Sequence, residues 1–383
     1  MNNLKFLLAL VLVIAFTGGF FAGILFSTNN QQENLKMKQA TESAIKPEPK
    51  QMPRLDMEQA KVLIGYVQDF RDPNAVDYDN LTHIIFSFAH PTKDGGLLLN
   101  GEVALNNLRI MATKAHEHDT KIMLAVGGWF HIQGGESYEY FKTAIANPTS
   151  RYKLVNELVS ITVREKLDGI DIDFEHPRSL EDAQHLASFI KELSDKLHHK
   201  NKELSTAVQA KVNSVTGAEI NSVLYEPSMF EYVDHVNIMA YDGQWDGGYD
   251  AANLSPYPFN ENIVNYWTSL FDTHNLSKEK LVLGVPFYAQ PEDPSVKQIT
   301  YAAIIKNNPD NAEHDTVNMN GTTYHYNGAK TVQKKIKLAL DHGFGGMMLW
   351  EAGHDAEGSH SLTSAISKAL GAEDIYVFKQ NTN

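Results

Sequence analysis

The sequence predicts an α/β fold, a single (β/α)8 TIM barrel preceded by an N-terminal apolar segment and a polar linker. Beyond about residue 55, short β-branched runs alternate with helical patterns, which is typical of βαβ units around a parallel sheet. Eight such alternations occur, the number that closes a TIM barrel. The chain of 383 residues, less its N-terminus, is long enough for one large barrel domain.

The eight predicted strands are separated by predicted helices. Helical periodicity covers 154–166, 180–199 and 331–341, and His342-Gly343 ends the last of these. The predicted strands cover 62–67, 84–88, 122–126, 169–174, 204–209, 233–240, 281–285 and 345–349. Together these elements predict a barrel domain over 55–371 and a C-terminal tail over 372–383.

The N-terminus falls into an apolar and a polar part. Lys5 precedes a nearly unbroken apolar run from Phe6 to Phe26, which predicts a signal peptide or an N-terminal membrane anchor over 1–26. Apolar residues resume after the candidate cleavage site at Thr17-Gly18-Gly19, which favours an uncleaved anchor. Residues 27–54 turn polar and predict a linker. We therefore expect an exported protein, either membrane-anchored with its barrel outside the cytoplasm or secreted.

Composition restricts the partners. The formal net charge of −14 argues against nucleic acid and anionic membrane surfaces, and it suits a neutral substrate. The chain has no cysteine, which excludes disulfides, thiolate metal sites and cysteine nucleophiles. His116-Glu117-His118 resembles a metal motif, but two histidines at i and i+2 on a helix point apart. We expect a monomer without metal or cofactor.

An acidic strand is the most informative stretch of the chain, with the sequence DGIDIDFE over 168–175. Because side chains alternate in a strand, Asp171, Asp173 and Glu175 share one face, and the apolar residues between them share the other. Crowded carboxylates do not all ionise cheaply, so at least one should keep its proton near neutral pH and serve as a general acid. A solvated edge strand is the alternative, but such strands favour Lys, Thr and Glu.

Aromatic and acidic residues recur at the predicted C-terminal ends of the strands, where barrel active sites form. Rings around an acid suit a sugar, since the apolar faces of pyranose rings pack on aromatic side chains. The alternative is a rim of structural aromatics. The strand ends carry Tyr66, Phe88 to His90, Gly127-Gly128-Trp129, Glu175, Gln209, Tyr241-Asp242, Phe287-Tyr288 and Trp350-Glu351.

The acidic strand resembles the DxxDxDxE signature of glycoside hydrolase family 18, the chitinases and their relatives, at all four acidic positions. The resemblance implies that Glu175 is the proton donor, that Asp173 orients the substrate's acetamido group while sharing a proton with Glu175, and that Asp171 supports Asp173. It also implies a substrate-assisted, retaining mechanism in which the 2-acetamido oxygen of the sugar is the nucleophile.

Three further strand ends extend the resemblance from about Lys61 to Leu370. Met239-Ala240-Tyr241-Asp242 resembles the MxYD motif, which implies that Tyr241 donates a hydrogen bond to the acetamido carbonyl. Trp350 resembles the floor tryptophan beneath the cleaved sugar, and Gly127-Gly128-Trp129 resembles the SxGG segment. The catalytic set is then Glu175, Asp173, Asp171 and Tyr241. The expected substrate-binding set is Tyr66, Gly128, Trp129, Gln209, Met239, Asp242, Trp245 and Trp350.

The chain departs from the family pattern at two positions. Ala125 stands where SxGG has Ser, a hydrogen-bonding group behind the acidic strand, so we expect altered coupling of Asp171 and Asp173 and reduced activity. Asn237 stands where many chitinases carry Gln. The connection from Phe287 to Gly345 is also expected to be too short for both the barrel helix and the large α+β insertion of some chitinases, which predicts a shallower cleft.

Three functions fit these residues. The first is a chitinase-like endo-glycosidase that cleaves β-1,4 linkages next to N-acetylglucosamine in chitin or chitooligosaccharides, which the intact acids and Tyr241 favour. The second is a non-catalytic chitin-binding lectin on the same barrel. The third is the same chemistry on peptidoglycan or on the core of an N-glycan.

Overall fold

Eight parallel strands close into a barrel in the computed structural model, which describes residues 60–380 and the side chains up to residue 371. The order around the barrel is β1-β13-β8-β7-β6-β5-β4-β2, and pairing of β1 with β2 closes the ring. The predicted (β/α)8 TIM barrel is confirmed. These strands are β1 Val62–Gln68, β2 His83–Pro91, β4 Lys121–Gly127, β5 Gly169–Asp173, β6 Glu203–Gln209, β7 His235–Met239, β8 Leu281–Pro286 and β13 Gly346–Trp350.

Helices follow most of the strands and cover the outside of the barrel. The predicted helices at 154–166, 180–199 and 331–341 correspond to α3, α4 and α7. Helix α3 begins earlier than predicted because the Asn147 side chain accepts a hydrogen bond from the Thr149 amide and Pro148 occupies the first turn. The helices are α1 Gly101–Glu117, α2 Ser137–Ala146, α3 Pro148–Arg164, α4 Leu180–His198, α5 Tyr257–Thr273, α6 Tyr301–Asn307, α7 Ala329–Asp341 and α8 Leu362–Gln380.

Alternation along the strands separates two apolar cores. Ile170, Ile172 and Phe174 face outward into the large core between sheet and helices. A smaller core fills the barrel lumen and includes Ile64 and Met348. The predicted alternation of the acidic strand is therefore confirmed, and its carboxylates belong to the lumen side.

A small α+β unit occupies residues 288–325, between β8 and α7. It contains the four-stranded antiparallel sheet β10-β9-β12-β11 and the short helix α6. The prediction excluded the large α+β insertion of some chitinases, and the connection instead holds the barrel helix together with this small unit. The two fit together because each added strand has only two to four residues. A ninth strand, β3 Leu97–Leu98, pairs antiparallel with β2, and the added strands are β9 Tyr288–Pro291, β10 Ile299–Thr300, β11 Thr316–Met319 and β12 Thr322–His325.

Within residues 60–380, none of the helices is long and apolar enough to cross a membrane. The predicted membrane segment at 1–26 and the linker at 27–54 lie outside the described residues. Helix α8 continues to Gln380, beyond the predicted end of the domain at residue 371.

Candidate active site

Asp171 lies in the barrel lumen and is fully buried. Its Oδ2 accepts a hydrogen bond from the Tyr66 hydroxyl at 2.8 Å. Its Oδ1 accepts one from the Ser205 hydroxyl at 2.6 Å and one from the Asn237 amide at 3.2 Å. Burial raises the pKa of Asp171 to about 6, although these three donors favour the charged form.

Strand register explains which neighbour supports Asp171. Ala125 on β4 pairs with Asp171 on one side, and Ser205 on β6 pairs with it on the other. The hydroxyl that is missing at Ala125 is thus supplied by the opposite neighbouring strand. Sequence analysis missed Ser205, because strand pairing must be known before its position opposite Asp171 becomes visible.

Asp173 ends strand β5 and is 3% exposed. Its Oδ1 is buried and has no hydrogen-bond partner among the described residues. Burial raises the pKa of Asp173 well above its usual range, and the nearby charges of Glu175 and Asp171 add to the effect. Asp173 therefore tends to keep a proton, and the hydrogen-bonding capacity of its buried Oδ1 is unused among the described residues.

Two glycines let β4 approach the end of the acidic strand. The Gly128 amide donates to the Asp173 carbonyl at 2.9 Å. A Cβ atom on Gly127 would lie 2.0 Å from that same carbonyl oxygen, and Gly127 has a φ of +124°. Only glycine fits this approach, which accounts for the Gly127-Gly128 pair.

Glu175 follows the end of β5 and is partly exposed to the cleft. Its Oε2 accepts a hydrogen bond from the Gln209 side chain at 3.2 Å. Burial and the charge of Asp242 raise the pKa of Glu175 to about 7, against the effect of the Gln209 hydrogen bond. A large fraction of Glu175 is therefore protonated near neutral pH, as a general acid requires.

Tyr241 is 8% exposed and follows strand β7. Its hydroxyl contacts the Met348 sulfur at 3.8 Å, and a thioether is a weak acceptor. This hydroxyl is therefore available to donate to a stronger acceptor, such as a carbonyl oxygen of a ligand.

Asp242 is exposed in the cleft and adopts a left-handed backbone, with a φ of 64°. Its Oδ1 accepts hydrogen bonds from the Tyr288 hydroxyl at 2.6 Å and from the Gln244 amide at 3.1 Å. Sequence analysis missed this role of Tyr288 and Gln244, although it noted Tyr288 as a strand end.

Aromatic rings border the site. Trp350 is partly exposed and packs on Phe88 with ring centroids 5.8 Å apart and on Tyr66 at 5.6 Å. Trp245 is 64% exposed and Trp129 is 41% exposed. Partly exposed indole rings of this kind suit contacts with sugar faces.

The remaining predicted residues lie deeper or in the core. Tyr66 is 2% exposed, and its hydroxyl is used by Asp171. Met239 is partly buried against the lumen core. Trp267 is fully buried and donates to the Ala210 carbonyl, so it belongs to the core and not to the site.

The His116-Glu117-His118 segment shows the expected divergence of its histidines. His116 pairs with Asp168 at 2.8 Å, and His118 pairs with Asp79 at 2.6 Å. The two rings thus contact different acids.

An acid with a raised pKa beside buried carboxylates, with aromatic rings nearby at the C-terminal end of a barrel, is an arrangement that suits glycoside cleavage. The sequence profile of Glycosyl hydrolases family 18 matches residues 62–355. The chain belongs to this family, which assigns it to the glycosidases and confirms the resemblance of the acidic strand.

Known relatives agree with this assignment. The chain is 25% identical over 376 residues to Chitinase 1 of Aphanocladium album, covering 81% of this chain and 84% of that protein. It is 29% identical over 244 residues to a chitinase-like effector of Moniliophthora roreri, covering 58% of this chain and 56% of that protein, just over half its length. The solved family 18 chitinase ChiB of Flavobacterium johnsoniae superposes with a TM-score of 0.68 at 25% identity, over 82% of this chain and 95% of that chain.

Proposed function

We propose that the protein is a chitinase-like enzyme that cleaves β-1,4 linkages next to N-acetylglucosamine, in chitin or chitooligosaccharides, by a substrate-assisted mechanism with retention of configuration. Relatives that are named chitinases, and that the chain matches over most of their length, support the substrate class. The observation that carries the proposal is Glu175, whose pKa of about 7 keeps it protonated at the strand end where barrel enzymes act.

Asp173 and Tyr241 supply the groups that hold the attacking acetamido group. Asp173 has a buried, unpartnered Oδ1, and the Tyr241 hydroxyl contacts only the weak Met348 acceptor among the described residues. Both groups are therefore suited to hold an acetamido group while its oxygen attacks C1. Glu175 then donates its proton to the leaving glycosidic oxygen.

Ring closure places positive charge on the acetamido group, which the ionised Asp171 carboxylate stabilises. Asp171 holds its negative charge through the three donors described above, and that charge helps keep the shared proton on Asp173. Trp350, resting on Phe88, offers a flat apolar surface for the sugar that is cleaved.

We further propose that the enzyme acts as a monomer outside the cytoplasm. Every group in the proposed mechanism comes from one chain. The apolar run from Phe6 to Phe26 supports export, with the barrel either anchored to a membrane or secreted.

Substrate profiling tests the proposal. The purified full-length chain is assayed on chitin oligomers, peptidoglycan and N-glycopeptides, beside Glu175→Gln and the matched control Glu157→Gln on the exposed side of α3. We expect hydrolysis of the chitin oligomers, a loss of about 10²–10⁴-fold in Glu175→Gln with binding retained, and no change in the control.

Other outcomes would change the proposed activity, substrate or nucleophile. Binding of chitin oligomers without turnover by the unaltered chain would make it a lectin, and preferred cleavage of peptidoglycan or N-glycopeptides would change the substrate. An NMR spectrum of early products in which the inverted anomer dominates would exclude the acetamido nucleophile.

A further inference from the structure

Two histidines and a glutamate meet at the N-terminal end of the barrel, opposite the candidate active site. His83, Glu203 and His235 are the first residues of β2, β6 and β7. Strands β4 and β5 separate β2 from β6 around the barrel, so His83 and Glu203 reach each other across the lumen. The topology thus brings together three side chains that are far apart in the sequence.

The spacing of these side chains fits a metal ion. One potential ligand atom from each lies within 4.8 Å of the other two. Oε2 of Glu203 is 3.0 Å from Nε2 of His83 and 3.9 Å from Nε2 of His235. Tetrahedral zinc with bonds of about 2.1 Å needs ligands about 3.4 Å apart, and the observed distances bracket that value.

Hydrogen bonds orient the His83 ring for this role. The Thr82 oxygen lies 3.0 Å from the Leu63 carbonyl oxygen and 2.8 Å from Nδ1 of His83. When the Thr82 hydroxyl donates to the Leu63 carbonyl, its oxygen accepts from Nδ1–H, and the lone pair of Nε2 faces the Glu203 carboxylate. In that tautomer two acceptors lie 3.0 Å apart, an arrangement that a bound cation relieves.

His235 gives a second, independent indication. The residue is 7% exposed, and its Nδ1 is buried without a hydrogen-bond partner among the described residues. Its Nε2 is too far from Glu203 for a hydrogen bond. Coordination through Nε2 would give that atom a partner, while Nδ1 would carry the ring proton.

The surroundings admit an ion from solvent. A cleft of about 550 Å³ opens beside the three residues, and its lining carries four carboxylates and three lysines. One of these, Lys121, contacts Oε1 of Glu203 and leaves Oε2 facing the histidines. A divalent cation therefore meets no excess of positive charge and finds one free carboxylate oxygen.

We propose that His83, Glu203 and His235 form a zinc site, with a water molecule from the cleft as the fourth ligand. Two imidazoles and a carboxylate suit Zn²⁺ better than Mg²⁺ or Ca²⁺, which prefer oxygen ligands. The site ties β2 to β6 and β7 across the base of the barrel, so its role is to stabilise the fold. The expectation of no metal rested on neighbours along the chain, and these ligands come from three distant strands.

The test uses the full-length chain stripped of metal with a chelator. Titration with Zn²⁺ should give one site per chain, and zinc at about 100 times its dissociation constant should raise the melting temperature by about 4 °C for a domain of roughly 300 residues. Mg²⁺ at the same concentration should not. His83→Gln and His235→Gln should each weaken zinc binding by more than about 100-fold.

His116→Gln is the matched control, because His116 also contacts a carboxylate at 2.8 Å. Its zinc affinity should be unchanged, and a loss there instead would place the zinc at the His116 segment. Unaltered binding in both site variants would overturn the proposal. If those variants fail to fold, the visible spectrum of Co²⁺ bound to the unaltered chain decides, since an octahedral spectrum, typical of a mainly water-bound ion, would also overturn it.

Discussion

Replacing Ser205 with alanine should make activity more sensitive to acid, because it removes the 2.6 Å hydrogen bond to Asp171. A hydrogen bond to a charged group contributes about 1.5–3 kcal/mol, so its loss lowers the acid dissociation constant of Asp171 by about 10- to 150-fold. The pKa of Asp171 is about 6, and in the variant it rises above neutrality. Ionised Asp171 helps keep the shared proton on Asp173, so the proposed mechanism depends on the ionised fraction.

The ionised fraction of Asp171 sets the size of the loss of activity. If activity follows ionised Asp171, kcat/KM in Ser205→Ala falls by about 5- to 70-fold at pH 6 but by less than about threefold at pH 8. A pH profile of kcat/KM on a fluorogenic chitooligosaccharide measures this. A purely structural defect would lower activity by a similar factor at every pH.

Two variants control the experiment. Thr206→Val removes a neighbouring buried hydroxyl that bonds to the Ile172 carbonyl instead of to Asp171, and its pH profile should be unchanged. Adding Ala125→Ser to Ser205→Ala returns a hydroxyl from the opposite strand and should restore the acid limb. An unshifted pH profile in a well-folded Ser205→Ala protein would show that the Ser205 hydrogen bond does not control the ionisation on which activity depends.

Three other variants or measurements probe the same site. Asp173→Asn should lower turnover by about 100-fold or more yet raise the melting temperature by a few °C. Burial raises the folded-state pKa of Asp173, so its stabilising contribution is lost as pH rises, and the gain in melting temperature should be larger at pH 8 than at pH 4. Tyr241→Phe should lower kcat/KM by about 100-fold and change the melting temperature by less than about 2 °C, because its hydroxyl bonds only weakly to Met348. In the unaltered enzyme, kcat/KM should fall above about pH 7 as Glu175 loses its proton, and a flat profile to pH 9 would contradict the assignment.

The barrel was predictable because its strands and helices carry strong local patterns. Each of the eight barrel strands is largely buried, and all of them except β13 contain β-branched residues. The unit at 288–325 lacks such a signal. Strand β11, for example, has two exposed and two half-buried residues, and helix α6 has only seven. Elements this short contain too few residues for a periodic pattern to be recognised.

The acidic residues of the site were predictable because they share one strand. Alternation alone puts Asp171 and Asp173 on the lumen side, before any tertiary contact is known. Ser205, which donates to Asp171, and Tyr288, which donates to Asp242, were not found as partners, because each reaches its acid from another strand. No sequence pattern around either residue indicates that its side chain bonds to an acid.

Strand β6 shows how the missing partners follow once pairing is known. Polar side chains in a barrel lumen are costly unless they are hydrogen-bonded, so the acids of β5 need donors on a neighbouring strand at the same level. Strand β6 supplies them at alternate positions: Ser205 donates to Asp171, and Gln209 donates to Glu175. Glu203, two residues before Ser205, shares this face and belongs to the proposed zinc site. One face of β6 therefore carries polar residues toward both ends of the barrel, and its buried Ser205 is explained by the register with β5 rather than by exposure to solvent.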